Sequence, residues 1–320
     1  MGLAAGRALR RRGHEPVVYE QFRIGHDRGS SHGRSRIFRL AYAEEEYVRL
    51  AQESLALWRE LEKETGETLL ELNGLLEIVR TLEESTAPTL EAVGVPWERL
   101  EREEAERRYP IHVPDGSFAM LQPEAGIVRA DKALNAFARD LDVREGTRVM
   151  PDEVDADVVV VTAGSWVNEL VEPPLEVRVT RETLCYFRPE SDGPVPSVVS
   201  FKPERHTHDM YSLADPKYGL KVGAHHSGPK ADPNVPGEPE PRLVEEITDW
   251  ARCTYRLADP DPAGAETCMY TSTPDQTFVL ERRGRIVVGS PCSGHGFKFA
   301  PAVGERLADL ALGTGQSVAR

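Results

Sequence analysis

The apolar positions change period several times along the chain, and each change predicts an element. Residues 2–12 (Gly-Leu-Ala-Ala-Gly-Arg-Ala-Leu-Arg-Arg-Arg) have the composition of a helix with a basic last turn, and Gly13 supplies a stop. Residues 16–20 (Pro-Val-Val-Tyr-Glu) predict a short buried strand ending in an acid. Over residues 46–63, Tyr47, Leu50, Ser54, Leu57, Trp58 and Leu61 recur at helical spacing, which predicts an amphipathic helix with Trp58 in the core. Residues 69–79 alternate around Gly74 and predict a hairpin. Residues 81–108 are charged and helical, with Pro96 separating two helices and Glu98, Glu101, Glu103 and Glu104 on a solvated face. A helix is expected over 131–140, and a strand starting at Arg148-Val149.

The second half is richer in strands. Residues 158–161 are four consecutive valines, the continuous apolar run of a buried parallel strand. Residues 177–187 and 197–201 predict strands of a second sheet, and 218–226 alternate around Lys221, where an unpaired ammonium would be costly. Residues 244–251 predict a helix with Trp250 in the core. Near the C-terminus a strand at 285–289 leads through Ser293-Gly294-His295-Gly296-Phe297-Lys298-Phe299 into a helix over 303–312. A strand ending in glycines that open a helix receives anions, because the first-turn N–H groups are unpaired and the dipole end is positive. Gly294 and Gly296 are expected to let a flat ring or a phosphate lie against bare backbone, and Lys298 adds a formal charge.

Composition narrows the class. The chain has 320 residues, 40% hydrophobic and 29% charged, which predicts one large or two interleaved soluble domains. A net charge of −14 argues against nucleic acid and anionic membrane as partners. There is no apolar run long enough for a membrane span and no secretory signal core. Cys185, Cys253, Cys268 and Cys292 lack paired spacing and suggest reduced, intracellular thiols and a cytoplasmic protein. His206, His208 and Asp209 read as a polar loop, with no fourth ligand for a metal.

Helix, strand, then acid over residues 2–20 is the second half of a dinucleotide-binding βαβ unit, in which Glu20 would accept hydrogen bonds from ribose hydroxyls. Read alone, Glu20 is equally a solvated strand-end carboxylate. Four multi-residue words add to this: 29–42 (Gly-Ser-Ser-His-Gly-Arg-Ser-Arg-Ile-Phe-Arg-Leu-Ala-Tyr), 219–225 (Gly-Leu-Lys-Val-Gly-Ala-His), 268–271 (Cys-Met-Tyr-Thr) and 294–298 (Gly-His-Gly-Phe-Lys). Together they resemble the monomeric sarcosine oxidase family of flavoenzymes, which includes N-methyltryptophan oxidase. The resemblance runs over nearly the whole chain.

The resemblance implies an α/β fold: an FAD-binding Rossmann-like domain with an interleaved antiparallel-sheet substrate domain. The first would take residues 1–75, 125–170 and 270–320, the second 76–124 and 171–269. It implies FAD bonded covalently through Cys268, with Gly2, Glu20, Ser31, His32, Arg36, Gly164, Gly294 and Gly296 around the cofactor. Arg39 and Lys298 would hold a substrate carboxylate, a task that suits the arginine fork. Lys221 would lie over the flavin and promote its reaction with oxygen, and His225 and Tyr270 would line the substrate pocket. Without the neighbouring words, Cys268 and Cys292 read as structural thiols and His225 is equally a surface strand-end residue; four arginines at 28, 34, 36 and 39 could form a solvated loop, but alternation with Ile37, Phe38 and Leu40 favours burial of at least Arg36 and Arg39. Two departures stand out. The family's first strand and first glycines are absent, so the chain looks truncated or started downstream, and the meander expected near 150 is missing. The implied function is a monomeric oxidase of N-methyl or other secondary amino acids, using molecular oxygen and giving hydrogen peroxide. Alternatives are another amino-acid or imino-acid oxidase or dehydrogenase of the same fold, or a degenerate flavin-free relative.

Overall fold

Two alanine- and glycine-rich helices, α1 (Gly2–Arg11) and α7 (Ala300–Leu312), pack against each other in the computed structural model, which describes residues 1–190, 193–201, 203 and 206–315. Their approach is close because Gly304 carries no side chain. A Cβ there would stand 2.7 Å from the Ala4 carbonyl carbon, too close for any real contact. Between them in the chain come β1 (Val17–Tyr19), β2 (Ser35–Phe38), α2 (Glu45–Thr65), β3 (Leu70–Glu71), β4 (Leu75–Val79), α3 (Ala87–Ala92), β5 (Glu98–Leu100), α4 (Arg102–Arg108), β6 (Phe118–Gln122) and β7 (Gly126–Arg129). Then follow α5 (Ala130–Ala138), β8 (Asp142–Arg144), β9 (Val159–Val161), β10 (Arg178–Phe187), β11 (Ser197–Ser200), β12 (Asp209–Asp215), β13 (Gly219–His225), α6 (Pro241–Thr254), β14 (Gly264–Ser272), β15 (Val279–Arg283) and β16 (Ile286–Ser290).

One eight-stranded sheet, ordered β14-β10-β13-β12-β11-β4-β6-β5, supplies the platform of the molecule. Its β10, β12, β13 and β14 pair antiparallel, so side-chain parity decides what faces where. In the register, Lys221 stands opposite Tyr186 and Leu213, Gly223 opposite Leu184 and Tyr211, Cys268 opposite Glu182, and Tyr270 opposite Thr180. Residues of the other parity, including Leu220, Val222, Cys185, Phe187 and Met210, pack with Leu243, Ile247 and Trp250 of α6 into one apolar cluster. The sheet therefore spends one face on α6 and leaves the other free for chemistry. A second cluster packs Trp58 and Leu61 of α2, Phe137 of α5 and Val303 and Leu307 of α7.

Several expectations need correction. Residues 69–79 form no hairpin: β3 pairs with β7, whereas β4 pairs with β6 and β11. Both backbone groups of Gly74 are taken elsewhere. Its N–H donates to Ala125 O and its carbonyl accepts from Ser197, and its φ of 88° suits a glycine. Pro96 separates α3 not directly from a helix but from β5, which Leu100 anchors by burial opposite Ala119 on β6. No strand starts at Arg148-Val149; the strand is β8, which starts six residues earlier at Asp142, parallel to β1. Pro151, which lacks an N–H, stands two residues after Val149. Nor is β1 buried. Val17 is 39% exposed, since β1 pairs only with β8. β9 is half-buried for a similar reason: it pairs only with β16, and β1 and β9 both line one cavity.

Gly304→Ala should destabilise the protein by about 1–3 kcal/mol, the usual cost of overpacking a close contact. The thermal unfolding midpoint would register it as a decrease, and an unchanged midpoint would mean that α1 can shift without cost.

Candidate active site

The open face of the large sheet, the loop before β2 and the segment before α7 enclose a cavity of about 1280 Å³. Gly2, Glu20, Ser31, Arg36, Arg39, Gly164, Lys221, His225, Cys268, Tyr270, Gly294, Gly296 and Lys298 all line it. His32 does not. It is buried, and burial with Arg36 and Lys221 nearby pushes its imidazole down to about 3, so it is a neutral ring beside the arginine.

Around Cys268 the chemistry is cationic. The Cys268 thiol is buried on the cavity face of β14, and burial raises its pKa against the pull of Arg36 and Lys221. Arg36 donates to two main-chain carbonyls, Ser35 O at 2.8 Å and Ser30 O at 2.7 Å, and lies over the Phe297 ring at 5.8 Å. Lys221 is 3% exposed, and burial and Arg36 lower it to about 8, although Cys268, Glu266 and Asp215 oppose the shift. Glu266 accepts from the Tyr186 hydroxyl, and Asp215 is engaged by Arg34 Nε at 3.2 Å. Arg34 thus leaves the basic loop for an ion pair. Ser30 Oγ donates to Met269 O, tying the loop to β14, and the Thr271 N–H points at Cys292 Sγ at 3.3 Å.

A second cationic group gathers around Tyr42. Lys298 is 4% exposed and donates to Tyr42 Oη at 2.9 Å and to His295 O at 2.7 Å. Its own carbonyl accepts from Trp58 Nε1 at 2.8 Å, so the core tryptophan also holds the segment before α7 in place. Burial, then Arg39, places the Lys298 ammonium well below the usual lysine range. The Arg39 guanidinium stacks on the Tyr42 ring at 4.3 Å. His225 Nδ1 lies 3.3 Å from Tyr270 Oη. Burial, with His226, Arg39, His295 and Lys298, depresses His225 strongly, and burial raises Tyr270, so both are neutral near pH 7. Among the described residues, no carboxylate lies within 4.0 Å of the charged nitrogens of Arg36, Arg39, Lys221 or Lys298.

The glycines line the cavity for reasons other than those expected. A Cβ on Gly296 would stand 1.7 Å from Pro291 O, and one on Gly294 would stand 2.4 Å from the Tyr270 ring. These two glycines admit the protein's own atoms. Gly2 packs on Thr162 Oγ1 in the same way, at 2.8 Å. Gly164 differs: its φ is 54° and no protein atom lies within 4 Å of the missing side chain. Ser35 Oγ and Ser290 Oγ, both on the cavity wall, have no hydrogen-bond partner.

Sequence reading missed three side chains here. Tyr211 crosses the face of the sheet over Gly223, where a Cβ would meet its hydroxyl at 2.6 Å, and hydrogen-bonds Tyr270. Its signal is the stretch Met210-Tyr211-Ser212-Leu213-Ala214, apolar but for Ser212, which lies in β12. Tyr42 and His295 stood inside recognised words, but their contacts join segments 253 residues apart. His206 and His208 lie outside the site. Their partners are Asp249 at 3.3 Å and Glu246 at 3.0 Å.

Residues 1–310 match the family model described as FAD dependent oxidoreductase. The chain is 34% identical to the peroxisomal sarcosine oxidase of Homo sapiens over 338 residues, 92% of this chain and 85% of that protein. It is 31% identical to the monomeric sarcosine oxidase of Streptomyces avermitilis over 98% of this chain and 91% of that one. Its fold is similar to that of NikD, an unusual amino acid oxidase essential for nikkomycin biosynthesis, with a TM-score of 0.83, 26% identity, and coverage of 97% and 91% of the two chains. With its cation-lined cavity and this match along nearly all its length, the chain belongs to the family of FAD dependent oxidoreductases.

Proposed function

We propose that the protein oxidises N-methyl or other secondary amino acids of the sarcosine or N-methyltryptophan type at the carbon next to nitrogen, with oxygen as acceptor and hydrogen peroxide as product. The observation that carries this is the set of buried or half-buried cations, Arg36, Arg39, Lys221 and Lys298, on one cavity with no carboxylate at ion-pair distance among the described residues. Such charges are tolerated when a ligand brings the counter-charge.

The cavity fits FAD. The first turn of α1, which has no side-chain cap, opens on it, as do Glu20, the left-handed Gly164 and the unpartnered hydroxyls of Ser35 and Ser290. Phosphate suits the helix end and ribose suits the acid. Cys268 would provide the covalent anchor, with Ser31 and Arg36 near the ring and His32 behind Arg36. When bound, FAD supplies the acceptor for the two electrons of the amine's C–H bond and returns them to oxygen.

The protein's own groups supply binding and field. Arg39 and Lys298 grip the substrate carboxylate from two sides. His225 and Tyr270, both neutral, flank the amine without adding a positive charge that would oppose its oxidation. Lys221, while protonated, faces the negative charge that oxygen acquires as it is reduced. Residues 1–75, 125–170 and 270–320 would serve the cofactor, and 76–124 and 171–269 the substrate. The monomeric relative and the free cysteines support a monomer working in the cytoplasm. No helix among the described residues is long and apolar enough to cross a membrane.

Peroxide release over a panel of N-methyl, cyclic and primary amino acids tests the assignment. Turnover confined to primary amines, or a colourless protein after refolding with FAD, would overturn it. Arg39→Ala should raise KM for the carboxylate substrate by roughly 30- to 150-fold, from about 2–3 kcal/mol of lost charged hydrogen bonding. In stopped flow, the oxygen step should fall as pH rises through about 8, where Lys221 loses its proton, and Lys221→Met should make that step slow and independent of pH in this range while sparing the reductive step. Cys268→Ser should make the flavin extractable by acid. Flavin that stays with the precipitate would place the bond on another residue.

A further inference from the structure

The carboxylate grip depends on a hydroxyl that can face two ways. Tyr42 Oη has one hydrogen, and three groups stand at it: Lys298 Nζ at 2.9 Å, His295 Nδ1 at 3.3 Å and the Arg39 guanidinium, which like an ammonium can only donate. Once a ligand carboxylate offsets the burial and the Arg39 charge that lower it, Lys298 is an ammonium and can only donate. The Tyr42 oxygen therefore has to accept from Lys298, and its hydrogen has to go to a group that can accept. His295 Nδ1 is such a group only if it is bare.

The other side of the imidazole settles this. His295 Nε2 lies 3.2 Å from the Gln276 carbonyl, which can only accept, so Nε2 carries the ring hydrogen. Burial and Lys298 push His295 down to about 3, so the ring carries no second hydrogen near pH 7. Nδ1 is then bare. Gln276 has a φ of 61°, an uncommon value for a side-chain-bearing residue, and it is this backbone that presents the carbonyl. The ring itself is wedged against Phe278 at 4.8 Å and Tyr47 at 5.1 Å, which fixes its plane.

Resting on the carboxylate site proposed above, we propose that His295 is a positioning residue: fixed as the Nε2–H tautomer by Gln276, it takes the Tyr42 hydroxyl hydrogen and so keeps the Tyr42 oxygen turned to the Lys298 ammonium. Lys298 then spends two of its three hydrogens on Tyr42 and the His295 carbonyl and directs the third at a ligand carboxylate. The chain runs Lys298 to Tyr42 to His295 to Gln276, and each member donates to the next. With the opposite tautomer, the Tyr42 hydrogen would point at a cation and the grip would loosen.

The test is titration of the FAD-bound protein with acetate, followed by the visible absorbance of the flavin, on His295→Gln, His295→Asn, Tyr42→Phe and the double variant. Gln can meet the Gln276 carbonyl but offers Tyr42 no acceptor at the Nδ1 position; Asn places its oxygen there. Acetate should bind about tenfold more weakly to His295→Gln and Tyr42→Phe. His295→Asn should restore binding to within about threefold of the parent, and the double variant of Gln and Phe should be no weaker than either alone. Equal weakening by Gln and Asn would make His295 a packing residue and overturn the proposal, as would parent-like binding in Tyr42→Phe. Arg39→Ala in the same titration separates the two levels. If it weakens acetate while His295→Gln does not, the relay alone fails; if it has no effect, the carboxylate site lies elsewhere and the relay falls with it.

Discussion

Burying positive charge without a protein anion is the constraint around which this molecule is arranged. Moving an ammonium out of water costs several kcal/mol even after the protein relaxes. Lys221 and Lys298 are 3% and 4% exposed, and neither has a carboxylate within ion-pair distance among the described residues. The chain as a whole is acidic, at −14, so this lack of ion pairing is not a shortage of acids. They are held away: Glu182 is spent on Ser227 and Gly228, Glu266 on Tyr186, Asp215 on Arg34 and Glu77 on Thr86. Each acid near the sheet is satisfied locally, and the cations are left to an incoming ligand.

The scaffold that tolerates this is stiff on one side and open on the other. Trp250, Ile247 and Leu243 of α6 seal the far face of the sheet, so the strands cannot bend away from the charges they present. Trp58 does similar service from α2, where its indole N–H holds the Lys298 carbonyl. A side chain that is core by every measure of burial is also the fastening of the segment that carries the second lysine.

What could be read in the sequence was whatever depended on neighbours along the chain. The helical spacing around Trp58 and Trp250 and the alternation around Lys221 survive in the structure as α2, α6 and β13. The recognised words hold eleven of the fourteen singled-out residues, and ten of those line one cavity, with His32 set behind Arg36; Gly2, Glu20 and Gly164, from outside the words, line it too. What could not be read depended on partners far away. Gly74 looks like a hairpin turn until Ala125 and Ser197 claim its backbone. Gly296 looks like room for a ligand until the Pro291 carbonyl is found in that room. Asp209, read with His206 and His208 as a polar loop, instead opens β12, whose partners β11 and β13 lie on either side of it in space.

The parity of β13 and β14 has a consequence for how this protein can change. Lys221, Gly223 and His225 share one side of one strand, and Glu266, Cys268 and Tyr270 share the same side of another. Replacing any one of them alters one contact. Deleting a single residue within either strand would turn the whole row over, sending Leu220 or Met269 inward and a lysine or a thiol into the helix-packed layer. Divergence among proteins built this way is therefore free to proceed by substitution at alternate positions, while length changes are confined to the turns between them.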